Sequence, residues 1–267
     1  MDIKMQRVEV FEDTMKWIES DSRLKEAVKN TQSKTKLYKA QEIPKISEVD
    51  AKRDMRVTVT KERSFEAAIR LKNLDKKVAV LNFASATNPG GGVTRGSNAQ
   101  EEALCRCSTL YPCLNTTYLW KNYYTFHRNR HHTLYTDACI YTPGIQIIKT
   151  DTRVPERTND WCEVDVISCA APNLRFSNKI TGKALLELHK QRAKKILQIA
   201  IVNGDDCVVL GAFGCGAFEN PPEIVARAYK EILPEYKGYF DEIRFAVYCT
   251  PKDTTNCDVF SRIMKGI

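Results

Sequence analysis

Two adjacent glutamates and two glycine-rich segments are the residues of this chain best suited to chemistry. The glutamates are Glu101 and Glu102, and the segments are Gly90-Gly91-Gly92 and Gly214-Cys215-Gly216-Ala217-Phe218. Glycine lets backbone N–H groups approach a ligand closely, and successive N–H groups beside a helix N-terminus bind anions. A carboxyl group next to such a cradle can exchange a proton with a sugar attached to a bound phosphate, which is the chemistry of glycoside cleavage.

The same residues also have structural interpretations. Asn98 and Glu101 have the spacing of a capping box, with Asn98 as N-cap and Glu101 at the third helical position. Adjacent helical residues diverge by about 100°, so Glu101 and Glu102 need not face one ligand. Each glycine segment could be a tight turn. Neither segment has the Gly-Lys-Ser/Thr ending of a Walker A loop, and the second lacks the third glycine of GxGxxG.

The elements around the two segments favour a shared ligand. Val78–Phe83 and Cys207–Leu210 are apolar without polar alternation, as buried parallel strands are, and each is followed by a glycine segment. A helix is predicted from Asn98 to Cys107 after the first segment, and another after Pro221-Pro222. Ligands bind at the carboxyl ends of the strands in open α/β sheets, so we expect both segments to hold one diphosphate.

The remaining elements complete an α/β pattern. Residues 1–55 are predicted to form an N-terminal helical extension packed on a catalytic domain of residues 56–267. Strands alternating with helices predict a mixed, largely parallel sheet with helices on both faces. The other predicted elements are strands at Arg56–Thr60, Cys139–Tyr141, Ile145–Lys149, Val164–Cys169 and Ile243–Tyr248, and helices at Ser64–Leu71, with Ser64 as N-cap, and Gly182–Val202.

Composition narrows the class of protein only partly. The net charge of +8 favours an anionic ligand or polymer, but also fits a lysine-rich solvated surface. None of the ten cysteines forms a CxxC pair, so we expect reduced structural thiols and a cytoplasmic protein. No signal peptide or apolar run of membrane-spanning length is visible, so no membrane partner is expected.

A segment rich in aromatic and basic residues, 120–137, has no clear period. His127 and His131 would share a helix face as zinc ligands can, but no further ligand pattern completes a site, so a solvated basic loop and no metal are predicted. The neighbouring aromatic residues could stack on nucleotides, although core packing is favoured. They are Tyr118, Trp120, Tyr123, Tyr124 and Phe126.

The order of these motifs resembles the poly(ADP-ribose) glycohydrolases, in particular their bacterial type. Gly90-Gly91-Gly92, seven residues and then Gln100-Glu101-Glu102 match the GGG-x(6–8)-QEE signature of that family. Flanking similarity includes Leu81–Ala86, Ser108–Leu114 and Leu210–Phe218, and the resemblance covers about residues 56 to 250.

The resemblance implies a macrodomain-like three-layer α/β/α sandwich that binds ADP-ribose without a cofactor or metal. It implies that Glu102 is the catalytic acid and then base, and that Glu101 holds the ribose hydroxyls. Gly90, Gly91 and Gly92 would line the distal ribose, with Asn88 nearby and Gln100 also at the ligand. Gly214, Cys215, Gly216, Ala217 and Phe218 would cradle the diphosphate, with Phe218 packing on the ribose.

The activity implied by the resemblance is release of ADP-ribose from the ends of poly(ADP-ribose) by a monomeric enzyme. Three alternatives stay open at the level of sequence. The chain could remove single ADP-ribosyl groups from modified protein or nucleic acid, it could bind ADP-ribose without catalysis, or it could be an RNA-binding macrodomain that uses its positive charge. The retained glutamate pair argues against a binding protein without catalysis.

Overall fold

The computed structural model describes residues 2–47, 53–176 and 180–267. Its strands are β1 (Lys36–Tyr38), β2 (Arg56–Thr60), β3 (Val78–Phe83), β4 (Cys139–Lys149), β5 (Arg157–Cys169), β6 (Cys207–Leu210) and β7 (Glu242–Ala246). Its α-helices are α1 (Ile3–Ser20), α2 (Ser22–Lys34), α3 (Ser64–Lys72), α4 (Gln100–Cys107), α5 (Leu110–Leu114), α6 (Thr117–Leu119), α7 (Thr125–Arg130), α8 (Gly182–Val202), α9 (Pro222–Ile232) and α10 (Thr255–Met264). Shorter helical turns are 3₁₀ at Val93–Arg95, Leu174–Phe176 and Leu233–Tyr236, and π at Trp120–Tyr124.

The strands form one mixed sheet in the order β1-β4-β5-β3-β6-β7-β2. β5, β3, β6, β7 and β2 run parallel, and the β1–β4 and β4–β5 pairs are antiparallel. The central strand β3 pairs with β5 and β6, so it is covered on both edges and both faces, which is why its sequence is apolar throughout. The prediction of a mixed, largely parallel sheet is confirmed.

Helices cover both faces of this sheet over two separate hydrophobic cores. Side chains of α8, α9 and α10 pack on one face, where Tyr229 and Phe260 contact Phe245 of β7. Side chains of α3, α4 and α5 pack on the other face, around residues such as Phe65 and Leu104. The three-layer α/β/α sandwich expected for a macrodomain is therefore present. None of the helices in residues 2–47, 53–176 and 180–267 has the length and apolar character needed to cross a membrane.

The first forty residues combine helices with a strand. Asp21 ends α1 and caps α2 by accepting from the backbone N–H groups of Arg23 and Leu24 at 2.8 and 3.4 Å. The expected helical extension also supplies β1, which pairs with β4 at one edge of the sheet, so its description as helical is incomplete. The division into an extension and a catalytic domain at residue 55 stays a prediction.

Several element boundaries differ from those predicted. The two short strands at 139–141 and 145–149 are one strand, β4, which forms a long hairpin with β5. The N-cap of α3 is Arg63, one residue earlier than the predicted Ser64, and Glu66 accepts from the Arg63 N–H at 2.8 Å. Residues 117–130 are continuously helical through a π-turn, so this helix includes residues 120–130 of the segment 120–137, for which no clear period was found.

Two buried carboxyl groups lie close together, that of Asp205 just before β6 and that of Asp165 within β5. Asp205 lies beside Asp165, which accepts from the Gly144 N–H at 2.8 Å and from the Tyr141 hydroxyl. Within the described residues, neither carboxyl oxygen of Asp205 accepts a hydrogen bond from another group. Burial, and then the charge of Asp165, raise the pKa of Asp205 well above its usual value of 3.8, so its protonated form can donate to Asp165.

We predict that Asp205→Asn makes the fold less sensitive to alkaline pH. A carboxyl with a raised pKa in the folded state destabilises the fold as pH rises above its ordinary pKa of 3.8, because the unfolded chain releases the proton first. The amide of asparagine donates without a titratable proton. Thermal unfolding is measured at about pH 5 and about pH 9. The melting temperature of the variant minus that of wild type should be larger at the higher pH. The same difference in melting temperature at both pH values would contradict a protonated Asp205 beside Asp165.

Candidate active site

Glu102 is held rigidly by two backbone N–H groups at the start of α4. Its Oε1 accepts from Gly92 at 2.9 Å and its Oε2 accepts from Ala99 at 2.7 Å. The carboxyl is largely buried, with 7% of the residue exposed, and it lines the cleft. Each oxygen keeps a second lone pair, so the group is positioned to exchange a proton with a molecule in the cleft.

Glu101 lies beside Glu102 and is more deeply buried. Its Oε2 accepts from Ser85 N–H at 2.7 Å and its Oε1 from the Asn82 amide at 3.4 Å. Burial raises the pKa of Glu101 to about 8, and the nearby Glu102 charge adds to the shift, while the Ser85 hydrogen bond opposes it. Glu101 is therefore protonated at neutral pH and can donate a hydrogen bond to a hydroxyl group.

The first glycine segment brings the two carboxyl groups together. A Cβ at Gly91, whose φ is +59°, would lie 2.5 Å from Glu102 Oε1 and 3.1 Å from Glu101 Oε2. The two glutamates therefore converge under Gly91 although they are adjacent in the helix, and the position requires glycine. Gly91 and Gly92 line the cleft together with Asn88, while Gly90 packs against Tyr111 and is not among the lining residues.

Gln100 attaches α4 to the central strand. Its Oε1 accepts from Phe83 N–H at 2.9 Å, and its Nε2 donates to Leu81 O at 2.8 Å and to the Ser64 hydroxyl at 3.0 Å. Although Gln100 lines the cleft, both ends of its amide already bind protein atoms. The geometry favours a positioning role, and its predicted contact with the ligand stays untested.

The predicted capping box of Asn98 and Glu101 is wrong by one residue. The N-cap is Ala99, and it is Glu102 that accepts from the N-cap N–H. The cause is Arg106, a buried residue whose guanidinium donates to Ser97 O at 2.7 Å and to Asn98 Oδ1 at 2.9 Å. Asn98 is therefore not free to cap, and sequence reasoning missed Arg106 because its partners are defined only by the folded loop.

The second glycine segment leaves β6 and presents unused backbone donors to the cleft. Within the described residues, the N–H groups of Gly214, Gly216, Ala217 and Phe218 donate to no protein atom. These four residues line the cleft, whereas Cys215 does not and packs against the core. Free N–H groups on neighbouring residues can bind an anion, so this segment is suited to the diphosphate that the sequence predicts there.

Asn220 fixes the shape of this second segment. Its Nδ2 donates to Pro172 O at 2.7 Å and to Gly214 O at 3.1 Å, and its Oδ1 is 2.9 Å from His189 Nε2. Burial lowers the pKa of His189 to about 4, so the imidazole is neutral at neutral pH and can donate to Asn220. Gly214 has a φ of +78°, and a Cβ there would lie 2.5 Å from Ala171 Cβ.

One cleft of about 790 Å³ joins both glycine segments and the glutamates. Its walls include Tyr135, which lies 6.1 Å from Phe218 between ring centroids, and Asn173. It extends past Gln100 to Tyr248, whose ring is covered by the Arg63 guanidinium at 4.1 Å. The volume is in the usual range for a small-molecule site, about 300–1,000 Å³.

The histidine segment is partly different from the predicted loop. His127 is buried in α7, where Nδ1 is 2.9 Å from Tyr123 O and Nε2 is 2.8 Å from Thr136 Oγ1, so it is not a solvated residue. His131 and His132 are exposed as expected. Across the described ranges, no group of three or more His, Cys, Asp or Glu side chains is arranged to hold a metal ion.

The aromatic residues of this segment divide between core and surface. Tyr123 and Tyr124 are buried, whereas Tyr118 and Phe126 are 55% and 45% exposed. Trp120 is half-buried, and its indole N–H donates to Asn115 Oδ1 at 2.8 Å. The expectation of core packing is therefore correct for only part of the set.

Known proteins that resemble this chain were found both by sequence and by structure. A sequence profile of the family described as microbial-type PARG, catalytic domain, matches residues 8–150. The structure of poly(ADP-ribose) glycohydrolase (PARG) from Thermomonospora curvata is 30% identical and superimposes with a TM-score of 0.89, over 97% of this chain and 99% of that one. The same protein bound to the inhibitor ADP-HPD gives a TM-score of 0.83 at 30% identity, over 96% and 98% of the two chains.

A second organism gives a similar result. PARG from Deinococcus radiodurans in complex with ADP-ribose is 32% identical, with a TM-score of 0.79 over 89% of this chain and 97% of that one. Among curated protein sequences, none matches this chain. The chain belongs to the microbial-type PARG catalytic-domain family.

Proposed function

We propose that this protein is a hydrolase that releases ADP-ribose from the ends of poly(ADP-ribose) chains. The observation that carries the proposal is the Glu102 carboxyl, held by the Gly92 and Ala99 N–H groups at the floor of the cleft. Family membership supports the glycosidase class, and the relatives from the two bacteria are described in complex with ADP-HPD and ADP-ribose.

The proposed mechanism uses one carboxyl group twice. Protonated Glu102 gives its proton to the leaving 2′-oxygen as the bond from that oxygen to the anomeric carbon breaks, which leaves an oxocarbenium-like ribose. Water then attacks the anomeric carbon, and the Glu102 carboxylate takes the proton of that water. The proton balance closes, because Glu102 ends each cycle protonated as it began.

The neighbouring groups bind and orient the substrate in this proposal. Neutral Glu101 donates to a hydroxyl of the distal ribose, which keeps a second negative charge away from Glu102. The unused N–H groups of Gly214, Gly216, Ala217 and Phe218 receive the diphosphate, and the Phe218 ring packs on the ribose. The adenine lies toward Tyr248 at the far end of the cleft.

A monomeric, cytoplasmic protein is part of the same proposal. All ten cysteines are free thiols, and nine of them are buried or have a pKa raised by burial, which suits a reducing compartment. Their thiols act as small apolar groups in the two cores.

The direct test is incubation of the wild-type protein with purified poly(ADP-ribose), followed by chromatography of the products. We expect free ADP-ribose to accumulate from the start, with shortening chains and few internal fragments. The same protein is incubated in parallel with a mono-ADP-ribosylated peptide. If ADP-ribose is released from the peptide and not from the polymer, the substrate is a single ADP-ribosyl group and not poly(ADP-ribose). Saturable ADP-ribose binding without release from either substrate would overturn the hydrolase proposal in favour of a binding protein.

A further inference from the structure

The wall of the cleft next to the first glycine segment is built from a stretch of sequence that is almost free of acidic residues. Between Asp75 and Asp137 the chain contains seven lysines and arginines, and its only acids are Glu101 and Glu102. Both of these glutamates are buried in the site. All exposed charges contributed by this stretch are therefore positive.

The helical residues 117–130 of this stretch lie next to residues that line the cleft. Arg128 connects them to the residues just before the first glycine segment, since its Nε donates to Thr87 O at 2.7 Å and its guanidinium also contacts Asn88 Oδ1. Thr87 and Asn88 both line the cleft. Three residues after α7, Thr133 O accepts from the backbone N–H of Asn173 at 2.8 Å, and Asn173 lines the cleft.

The surface of this segment pairs cations with aromatic rings. The Arg128 guanidinium lies 4.6 Å from the centroid of Trp120, and that of Arg130 lies 5.4 Å from the centroid of Phe126. Arg128 and Arg130 are exposed, and in the described part of the chain neither forms an ion pair. Unpaired cations beside the exposed ring of Phe126 and the half-buried ring of Trp120 suit a polyanion that carries bases, because the rings stack on bases and the cations attract phosphates.

We propose that a surface formed by Trp120, Phe126, Arg128 and Arg130, called the leaving-unit surface, binds the next ADP-ribose unit of the polymer, whose adenosine carries the leaving 2′-oxygen. This inference rests on the proposed function. The leaving 2′-oxygen belongs to the adenosine of the next unit, so the adenine and diphosphate of that unit must lie just outside the cleft, beside the segment that positions Glu102. The leaving-unit surface is attached to that segment by Arg128 and supplies cations for the diphosphate and the Phe126 ring for the adenine.

The consequence is a preference for polymer ends over single ADP-ribosyl groups. A substrate with a small neutral group in place of the next unit fills the cleft without reaching the leaving-unit surface. The leaving-unit surface therefore lowers the KM for the polymer, and the distal ribose is bound by the cleft alone.

The test compares poly(ADP-ribose) with ADP-ribose that carries a neutral aryl ether on its anomeric carbon. Arg130→Gln and Phe126→Ala are expected to raise the KM for the polymer about threefold to tenfold, with kcat within about twofold. Both constants for the aryl substrate should stay within about twofold of wild type. The matched control is Lys237→Gln, which removes an exposed charge five residues before β7, at a residue that does not line the cleft. It should leave both substrates unaffected.

Salt supplies a second readout. The kcat/KM of wild type for the polymer should fall more steeply with ionic strength than its kcat/KM for the aryl substrate, and the slope should be shallower in Arg130→Gln. The inference is overturned if Arg130→Gln and Phe126→Ala change the KM of both substrates equally, or leave the KM for the polymer unchanged. In either case, turnover by wild type still supports the proposed function. Loss of single-stranded RNA binding by the two variants, with an unchanged polymer KM, would reassign the surface to RNA. Wild type that cleaves neither substrate would instead refute the proposed function itself.

Discussion

Replacement of Glu102 by glutamine is expected to slow release of ADP-ribose from poly(ADP-ribose) by a factor of about 10² to 10⁴. Glutamine has nearly the same shape, but it has no proton to give to the leaving oxygen and no carboxylate to activate water. Binding of ADP-ribose should be retained, because the donors assigned to the diphosphate lie on the second glycine segment. The measurements are initial rates on the polymer and calorimetric titration with ADP-ribose.

Two controls separate chemistry from folding. Glu102 accepts from two N–H groups, and glutamine can replace only one of these contacts as an acceptor, so thermal unfolding must be measured in parallel. Glu223→Gln makes the same change at an exposed glutamate in the first turn of α9 and should keep the wild-type rate. Wild-type turnover by a folded Glu102→Gln protein would remove Glu102 from the reaction.

Replacement of Gly91 by alanine is expected to reduce the rate by about two orders of magnitude or more, on the scale of a lost acid–base group. The new methyl group would lie 2.5 Å from Glu102 Oε1, so the carboxyl must move away from the Gly92 N–H that holds it. The left-handed backbone at φ +59° adds a stability cost of about 1–2 kcal/mol. Initial rates and melting temperature are measured on the same preparation.

Gly204→Ala is the matched control for this strain. Gly204 has a φ of +76°, but a Cβ there would meet no atom within 4 Å. It should therefore lower the melting temperature by a similar amount and leave the rate unchanged below that temperature. If both variants kept wild-type activity, the position of the Glu102 carboxyl under Gly91 would not matter for turnover.

The sheet, the two glycine segments and the glutamates could be predicted from the sequence because their signals are local. An apolar strand, a glycine run and a helix follow one another twice, and the spacing of Gly90-Gly91-Gly92 to Glu102 carries the family resemblance. The roles of Arg106 and Arg128 could not be predicted in this way. Their partners, such as Ser97 O and Thr87 O, are backbone carbonyl groups that only the folded loops bring near.

The spacing of apolar residues did not predict the helix at residues 117–130, because that helix is irregular. The π-turn at Trp120–Tyr124 lies between α6 and α7 and shifts the helical phase, so buried and exposed aromatic residues do not repeat at a constant interval. Strand β5 was shortened in the prediction for a different reason. Its first half, from Arg157, is polar and mostly exposed, and the hairpin with β4 is what defines it as a strand.

The attachment of α1 sets a limit on how this protein can be shortened. Lys149 donates to Val10 O at 2.7 Å, Thr14 donates to Arg106 O at 2.6 Å, and the backbone of Lys4 packs on Gly96. A fragment that began at residue 56 would lose the support of the turn that precedes the glutamates. It would also expose the edge of β4 that pairs with β1. An unpaired strand edge can form hydrogen bonds with a second molecule and promote aggregation.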